Sequence, residues 1–251
     1  MPNELVPSDV VRAIQDSVDT VLIDVGGTAY VTRPVFAPPI EALAATLEVH
    51  RLSGLVDYLA ANLDGLSPAL HGIHVADYDS VQLVGVLEGR PRRREVLVSA
   101  VCESLGFTYG RYYSCEDFNI ALQSLFVDDL DRAAVLKVVG NIKEEMVGQF
   151  DDDGVSQTVT ARAGIARVAE VPVPNPVTLR PYRTFVEVEQ PASPFVLRVK
   201  SGMKDGDKPS CALFEADGGK WKVEAIQTIA RALRVMVAEL PESMRDIPII
   251  A

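Results

Sequence analysis

The stretch from Val177 to Met236 constrains the fold more than any other part of the chain. Three runs rich in β-branched and aromatic residues occur there between Pro and Gly residues, a pattern typical of consecutive strands. These runs are Val177–Val188, Phe195–Lys200 and Cys211–Ala216. Hydrophobic residues then return every three or four positions from Val223 to Val237, which indicates a helix. This order predicts an antiparallel β-meander covered by a C-terminal helix.

The chain ahead of the meander mixes strand and helix signals, so the predicted class is α+β with a mixed N-terminal part. Capping residues, turns and hydrophobic periodicity mark the individual elements. Ser53 and Ser114 are expected to begin helices, and the helix after Ser114 forms an αα-hairpin with the next one. The predicted strands are Thr46–His50, Gly72–Ala76, Ser80–Leu87, Glu95–Cys102, Gln157–Ile165 and Val168–Val173.

Near the start of the chain, Gly26-Gly27 separates two short apolar runs, Val21–Val25 and Thr28–Thr32. A two-residue glycine turn between such runs predicts a β-hairpin. A strand that ends in Asp24 before Gly-Gly-Thr also resembles the first phosphate loop of sugar kinases and actin-like ATPases. We favour the hairpin, because we find no second phosphate loop or adenosine loop in the sequence.

Charge is distributed unevenly along the chain. Residues 1–157 hold 11 Lys and Arg against 24 Asp and Glu, a net charge of −13, whereas residues 158–251 carry a net +2. The acidic part would repel nucleic acid, which disfavours general coating of polyanions but leaves a local basic groove open in the later part. We therefore predict an acidic part over 1–150 and a β-meander part over 151–251, with one continuous domain as the alternative.

Composition indicates a globular protein. The 251 residues are 48% hydrophobic, which allows a large core, and the apolar runs fall well short of the roughly 18 residues of a membrane span. We therefore expect a cytoplasmic protein with no membrane partner. Cys102, Cys115 and Cys211 are an odd, scattered set, so we expect reduced thiols. His71 and His74 lack a close-spaced cysteine pair, and we predict neither a metal site nor a cofactor.

Basic residues supply the candidate binding sites. Arg92, Arg93 and Arg94 belong to the one basic cluster of the acidic part, which suits either an anion contact or an ordinary hairpin tip. In the meander, Arg180 and Arg183 lie on opposite faces of one predicted strand. We expect Arg180 or Arg183 to meet a carboxylate such as Glu187, Glu189 or Glu215, or else a neighbouring subunit. The functional alternative is a phosphate grip completed by Arg198, Lys200, Lys220 and Lys222.

Two acidic clusters raise the question of catalysis. Asp151-Asp152-Asp153 before Gly154 could hold Mg²⁺, but three consecutive acids before a glycine are typical of a solvated turn. Glu215 and Asp217 precede Lys220 and Lys222, yet their order differs from that of PD-(D/E)xK nucleases. Asp217 is instead expected beside a helix N-terminus, with Trp221 anchoring that helix. We therefore predict no catalytic residues.

Six stretches resemble a family of uncharacterised phage and prophage proteins, the YfdQ-like family. They are SGLVDYL (residues 53–59), FNIALQSLF (118–126), LKVVGNIKEE (136–145), DDGVSQTVTARAGI (152–165), PVTLRPYRTFVEVEQPASPFVLRV (176–199) and CALFEADGGKWKVEAI (211–226). The resemblance implies a phage origin and an early or accessory gene, with residence in the host cell cytoplasm. It brings no catalytic residues with it.

Three functions remain open at this stage. The first is a non-catalytic, self-assembling phage accessory protein that acts in phage DNA metabolism, with a basic sheet face that meets single-stranded DNA. The second is an interaction protein that binds a host protein, a defence factor or a nucleotide signal. The third is a metal-dependent nuclease. The apolar tail Ile247–Ile250 is expected to dock on a neighbouring copy.

Overall fold

The computed structural model describes residues 22–25, 28–31, 45–87, 94–103, 106–143, 149–152, 157–163, 167–173, 175–200 and 208–251. The chain divides into two compact units, Met1–Leu43 and Ala44–Ala251. In the first unit, β1 (Leu22–Val25) pairs antiparallel with β2 (Thr28–Val31). This pairing confirms the predicted hairpin.

The second unit contains a five-stranded sheet in the order β14-β4-β5-β6-β3. Its strands are β3 (Leu47–Val49), β4 (His71–Asp77), β5 (Ser80–Gly85), β6 (Val96–Val101) and β14 (Ile249–Ile250). The central strands are antiparallel, and the two edge strands run parallel to their neighbours. Helices α1 (Leu52–Ala61) and α4 (Lys220–Ala238) contribute buried residues to the core of this sheet.

A four-stranded antiparallel sheet, which we call the meander sheet, has the order β11-β12-β13-β7. Its strands are β7 (Tyr113–Ser114), β11 (Val177–Leu179), β12 (Ser193–Lys200) and β13 (Ser210–Glu215). The helical pair α2 (Cys115–Leu125) and α3 (Leu130–Lys143) packs on one face of this sheet. A third antiparallel sheet comprises β8 (Gln149–Asp152), β9 (Gln157–Ala163) and β10 (Arg167–Val173).

The α+β class is confirmed, but the expected partner of the C-terminal helix is corrected. The buried face of α4, including Ile229, Leu233 and Val237, belongs to the core of the five-stranded sheet. The meander sheet is covered instead by the helical pair, through residues such as Phe118 and Leu122. Periodicity identifies the apolar face of a helix, but it does not identify the sheet that this face will meet.

The first strand of the meander is much shorter than predicted, because it ends at Leu179 instead of Val188. The buried side chain of Gln190 satisfies the backbone of the following loop. Its Oε1 accepts hydrogen bonds from the backbone N–H of Arg183 (3.1 Å) and Thr184 (3.3 Å), and its Nε2 donates to the carbonyl of Phe185 (3.0 Å). These bonds replace the ladder that a longer strand would need.

The division at residue 150 does not coincide with the compact units. Each large core combines residues from both sides of that position: Ile73 and Leu233 belong to one, and Phe118 and Phe195 belong to the other. The prediction of a turn at the acidic cluster is wrong for its first two residues, because Asp151 and Asp152 lie at the end of β8. Asp153 and Gly154 fall outside the described residues.

The C-terminal tail joins the sheet of its own chain. Ile249 and Ile250 pair with Ile73 and His74 of β4, and the backbone N–H of Ile73 donates to the carbonyl of Pro248 at 2.8 Å. The prediction that this tail docks on a neighbouring copy is therefore wrong. The Ile247 side chain is buried in the core of its own chain, and Ile249 packs against that core.

Helix α1 is capped by a distant carboxylate and not by Ser53. The N-cap residue is Arg51, whose side chain makes no capping hydrogen bond. The Glu187 carboxylate instead accepts from the backbone N–H of Leu52 (2.6 Å) and of Ser53 (3.0 Å). A negative group at this end also interacts favourably with the helix dipole.

Replacing Glu187 with Ala is expected to lower the free energy of unfolding by about 1–2 kcal/mol, because two helix N–H groups lose their acceptor. Urea unfolding of the full chain measures the difference. Glu189→Ala is the matched control: this carboxylate is largely exposed, and its ion pair with Arg180 spans 3.8 Å. Equal losses in the two variants would contradict the capping role.

Candidate nucleic-acid interface

The meander sheet presents one face to the helical pair and a second face away from it. Along β12, Phe195, Leu197 and Val199 are buried in the core with α2 and α3. Successive side chains of a strand point to opposite faces, so Val196, Arg198 and Lys200 share the other side. In β13, Phe214 stands opposite Val196. We call this side the outer face.

Two aromatic rings meet on the outer face. Tyr112 directly precedes β7, and its ring centroid lies 6.3 Å from that of Phe214, at an interplanar angle of 67°. The Phe214 side chain is 38% exposed although it sits in the middle of a sheet. Gly110, two residues before Tyr112, has a φ of +75°, which favours glycine, and its N–H donates to the carbonyl of Leu213 at 2.8 Å.

Cations accompany these rings. The Lys200 ammonium lies 3.9 Å from the centroid of the Tyr112 ring, which is a close cation–π contact. Arg198 shares the face with Lys200, two residues away on the same strand. Arg111 is exposed in the segment that leads into β7. Aromatic rings with adjoining cations form the surface that suits stacked bases and phosphates.

Arg183 is buried and serves the interior. Its Nη1 lies 2.7 Å from Glu215 Oε1, and its Nη2 donates to Ser193 Oγ. The guanidinium carbon lies 3.7 Å from the centroid of the Trp221 ring, so the group is sandwiched between an acid and an aromatic face. Burial raises the pKa of the neighbouring Tyr109 to about 12. The expected pairing of Arg183 with a carboxylate is confirmed.

The other predicted binding residues have separate surroundings. Arg180 pairs with Asp129 at 3.2 Å and with Glu189 at 3.8 Å, which confirms its expected carboxylate partner. Lys220 pairs with Glu224 one turn along α4 at 3.3 Å. Arg94 Nη1 donates a hydrogen bond to the carbonyl of Gly85 at 2.7 Å, and the Lys222 ammonium lies 5.1 Å from the Tyr78 ring centroid.

Among the described residues, the basic side chains of the predicted phosphate grip do not converge on one site. Arg198 and Lys200 share the outer face, and each makes contacts there. Arg180, Arg183, Lys220 and Lys222 contact Asp129, Glu215, Glu224 and Tyr78 respectively. Arg92 and Arg93 fall outside the described residues. Sequence reasoning missed Arg111, Tyr112 and Phe214. The run Tyr-Gly-Arg-Tyr-Tyr over residues 109–113 interleaves aromatic and basic side chains and could have flagged this surface.

Asp217 lies beside the N-terminus of α4, as the sequence predicts, and its Oδ2 accepts from the backbone N–H of Trp221 at 3.3 Å. Its Oδ1 accepts from the backbone N–H of Gly219 at 3.0 Å, and its Oδ2 accepts from Ser193 Oγ at 2.9 Å. Partial burial alone raises the pKa of Asp217, but these hydrogen bonds and the nearby Arg183 outweigh burial and hold the pKa below its usual 3.8. Trp221 is almost fully buried, which confirms its anchoring role.

The lowered pKa of Asp217 predicts an acid-dependent loss of stability. A carboxyl with a depressed folded-state pKa stabilises the fold fully above its ordinary value of 3.8, and the contribution disappears as the pH falls through the folded-state pKa. The stability advantage of the wild type over Asp217→Asn is therefore expected to be constant near neutrality and to shrink below about pH 4. Urea midpoints across this range measure it, and a pH-independent difference would contradict the assignment.

Within the described ranges, no three His, Cys, Asp or Glu side chains come close enough together to hold a metal ion. Across the same part of the chain, no helix has the length and apolar character to cross a membrane. Comparison with protein-family models, with curated proteins and with solved structures finds no match to this chain. Function is therefore inferred from the side chains of the protein itself.

Proposed function

We propose that the outer face of the meander sheet binds single-stranded nucleic acid, and that the protein is a non-catalytic phage accessory protein acting in phage DNA metabolism. The observation that carries this proposal is the arrangement of Lys200 over Tyr112, beside the half-exposed ring of Phe214. Bases would stack on the two rings, and phosphates would lie beside Lys200 and Arg198.

Single strands fit this surface better than duplexes. The bases of a duplex are stacked on one another, and their flat faces do not reach a protein surface. Unpaired bases can be splayed out onto aromatic side chains. Each base stacked on an aromatic residue contributes about 1–3 kcal/mol with little dependence on sequence. A sheet face with two rings therefore supports binding without strong sequence preference.

Net charge limits the affinity. The whole chain carries −11, so long-range repulsion opposes the approach of a polyanion. Attraction has to come from local cations at the outer face. With two cations at phosphates, the logarithm of the binding constant should fall with the logarithm of salt concentration with a slope of about −1.4, since each contact to a single strand contributes about −0.7. We expect binding that is moderate in strength and sensitive to salt.

The second candidate is an interaction protein that binds a nucleotide signal. One base could stack on Tyr112 or Phe214, with its phosphate beside Lys200, so the same geometry favours this alternative too. The two functions differ in the length of ligand required. If the protein binds a nucleotide signal, a mononucleotide or cyclic dinucleotide would displace a bound oligonucleotide as effectively as a second oligonucleotide does.

Self-association belongs to the proposal as well. Strand β3, at one edge of the five-stranded sheet, carries an exposed apolar side chain, Leu47. Unpaired sheet edges are the places where a second chain can add a strand. Light scattering of the full chain tests this part, with a dimer or larger assembly as the expected result and a monomer mass as the contradictory one.

Fluorescence anisotropy tests nucleic-acid binding. A labelled single strand of about 12 bases, which is within the usual site size, is titrated with full-length protein and compared with the same sequence as a duplex. The expected result is tighter binding of the single strand, weakened between about 50 and 200 mM salt. Absence of salt-sensitive binding at micromolar protein would refute the proposal. Equal competition by mononucleotides would favour the second candidate.

A further inference from the structure

Two cysteine side chains meet inside the core of the meander sheet. Cys115 is the first residue of α2, and Cys211 lies in β13. Their sulfur atoms are 3.8 Å apart, and the two residues are 4% and 0% exposed. The Cys115 thiol also approaches the carbonyl oxygen of Pro209 at 3.4 Å. The fold thus brings together two thiols that are 96 residues apart in the sequence.

The separation of the two sulfur atoms is short enough for a covalent bond after a small movement. A disulfide requires about 2.05 Å between its sulfurs, so the pair has to close by roughly 1.8 Å. The third cysteine, Cys102, packs against the core of the five-stranded sheet and not against this one. Among the described residues, the pair therefore has no competing thiol in its own core.

We propose that Cys115 and Cys211 form a redox site, which a small peroxide oxidises to an intrachain disulfide. The Cys115 thiolate attacks one peroxide oxygen, the O–O bond breaks, and the products are a sulfenic acid and hydroxide, which takes up the proton that the thiol released. The Cys211 sulfur then attacks the Cys115 sulfur and displaces the sulfenic oxygen, which leaves as water with the Cys211 proton. Two electrons pass from the thiols to one peroxide molecule.

The surroundings assign different roles to the two thiols. Cys115 is the first residue of α2, and at 4% it is the more exposed of the two thiols, so a small oxidant reaches it first. The hydrogen bond with Cys115 and burial raise the pKa of the Cys211 thiol, so Cys211 keeps its proton. Cys115 is therefore the attacking sulfur and Cys211 the resolving one. A small oxidant is required because little of Cys115 reaches the surface.

The test uses the full chain with Cys102→Ser, which leaves this pair as its cysteines. Folded protein is treated with hydrogen peroxide, denatured, alkylated with a maleimide and weighed as intact protein. The expected result is loss of both thiols with the loss of two hydrogens, recovery of both thiols with dithiothreitol, and one linked peptide containing both cysteines. Without reductant, the melting temperature of the oxidised chain should be roughly 5–10 °C above that of the reduced chain.

Cys115→Ala in the same background is the control, and it should retain its remaining thiol without forming an intrachain bond. The proposal is overturned if both thiols of the folded Cys102→Ser chain stay reduced, if they proceed to sulfinic acid, or if the bonds form between chains. Should the control variant fail to fold, the peptide map of the Cys102→Ser chain alone decides between these outcomes.

Discussion

Replacing Arg183 with Met is expected to lower the free energy of unfolding by about 2–4 kcal/mol, measured by urea unfolding of the full chain. Removing one member of a buried ion pair leaves the other without compensation. The lower end of that range reflects screening of the ion pair by water, because the side chain of the partner, Glu215, is 38% exposed. Methionine replaces the apolar volume beside Trp221 but restores neither the ion pair nor the cation–π contact.

Two further variants distinguish the loss of the Arg183–Glu215 ion pair from the loss of packing around the arginine side chain. Arg180→Met removes an arginine whose side chain is one-third exposed, and it should cost no more than about 1 kcal/mol. Adding Glu215→Gln to Arg183→Met removes the uncompensated charge and should recover part of the loss. If Arg183→Met were as mild as Arg180→Met, the interior role of Arg183 would be refuted, and a ligand-binding role would regain support.

The second large effect concerns the aromatic pair. Replacing Tyr112 or Phe214 with Ala is expected to weaken binding of a single-stranded oligonucleotide by roughly 10- to 100-fold each, because each ring would lose a stacked base. Anisotropy titrations at fixed salt measure the loss. Both side chains lie at the surface of the sheet, so thermal unfolding should show that each variant remains folded.

Tyr182→Ala is the matched control for the aromatic variants. Tyr182 is 37% exposed, as much as Phe214, but it lies in the loop between β11 and β12 and not on the outer face. Its replacement should leave oligonucleotide affinity unchanged. A loss equal to that of Phe214→Ala would indicate a general effect of surface aromatics and would contradict a defined interface.

Much of the local structure was predictable from sequence. Apolar runs between Pro and Gly residues located β12 and β13, and the helical period located α4. Ser114 caps α2 as predicted, because its side chain accepts from the N–H of Asp117 at 3.1 Å. These features depend on residues a few positions apart, and short-range patterns record them.

Long-range arrangements were not predictable in the same way. The cap of α1 comes from Glu187, more than 130 residues later, and so the local Ser53 signal was misleading. The strand expected to reach Val188 stops early because Gln190 satisfies the backbone of the loop. A hydrogen bond between a side chain and a distant part of the backbone produces no periodic pattern in the sequence.

The candidate interface also arises from long-range pairing. Strand β7 pairs with β13 across almost 100 residues, with Tyr113 opposite Cys211, and this register brings Tyr112 beside Phe214. Lys200 joins them through the pairing of β12 with β13. Lys200 and Arg198 were identified as basic candidates, but their aromatic partners depend on a strand order that composition does not specify.

The central claim is that single-stranded nucleic acid lies on the outer face of the meander sheet. Photo-crosslinking with an oligonucleotide that carries a photoreactive thymine analogue, followed by peptide mass spectrometry, tests this claim most directly. The predicted result is crosslinking to Tyr112 and Phe214 that an unlabelled single strand abolishes. Crosslinks concentrated on α4 or on the loop around Tyr182, or none at concentrations that saturate binding, would contradict it.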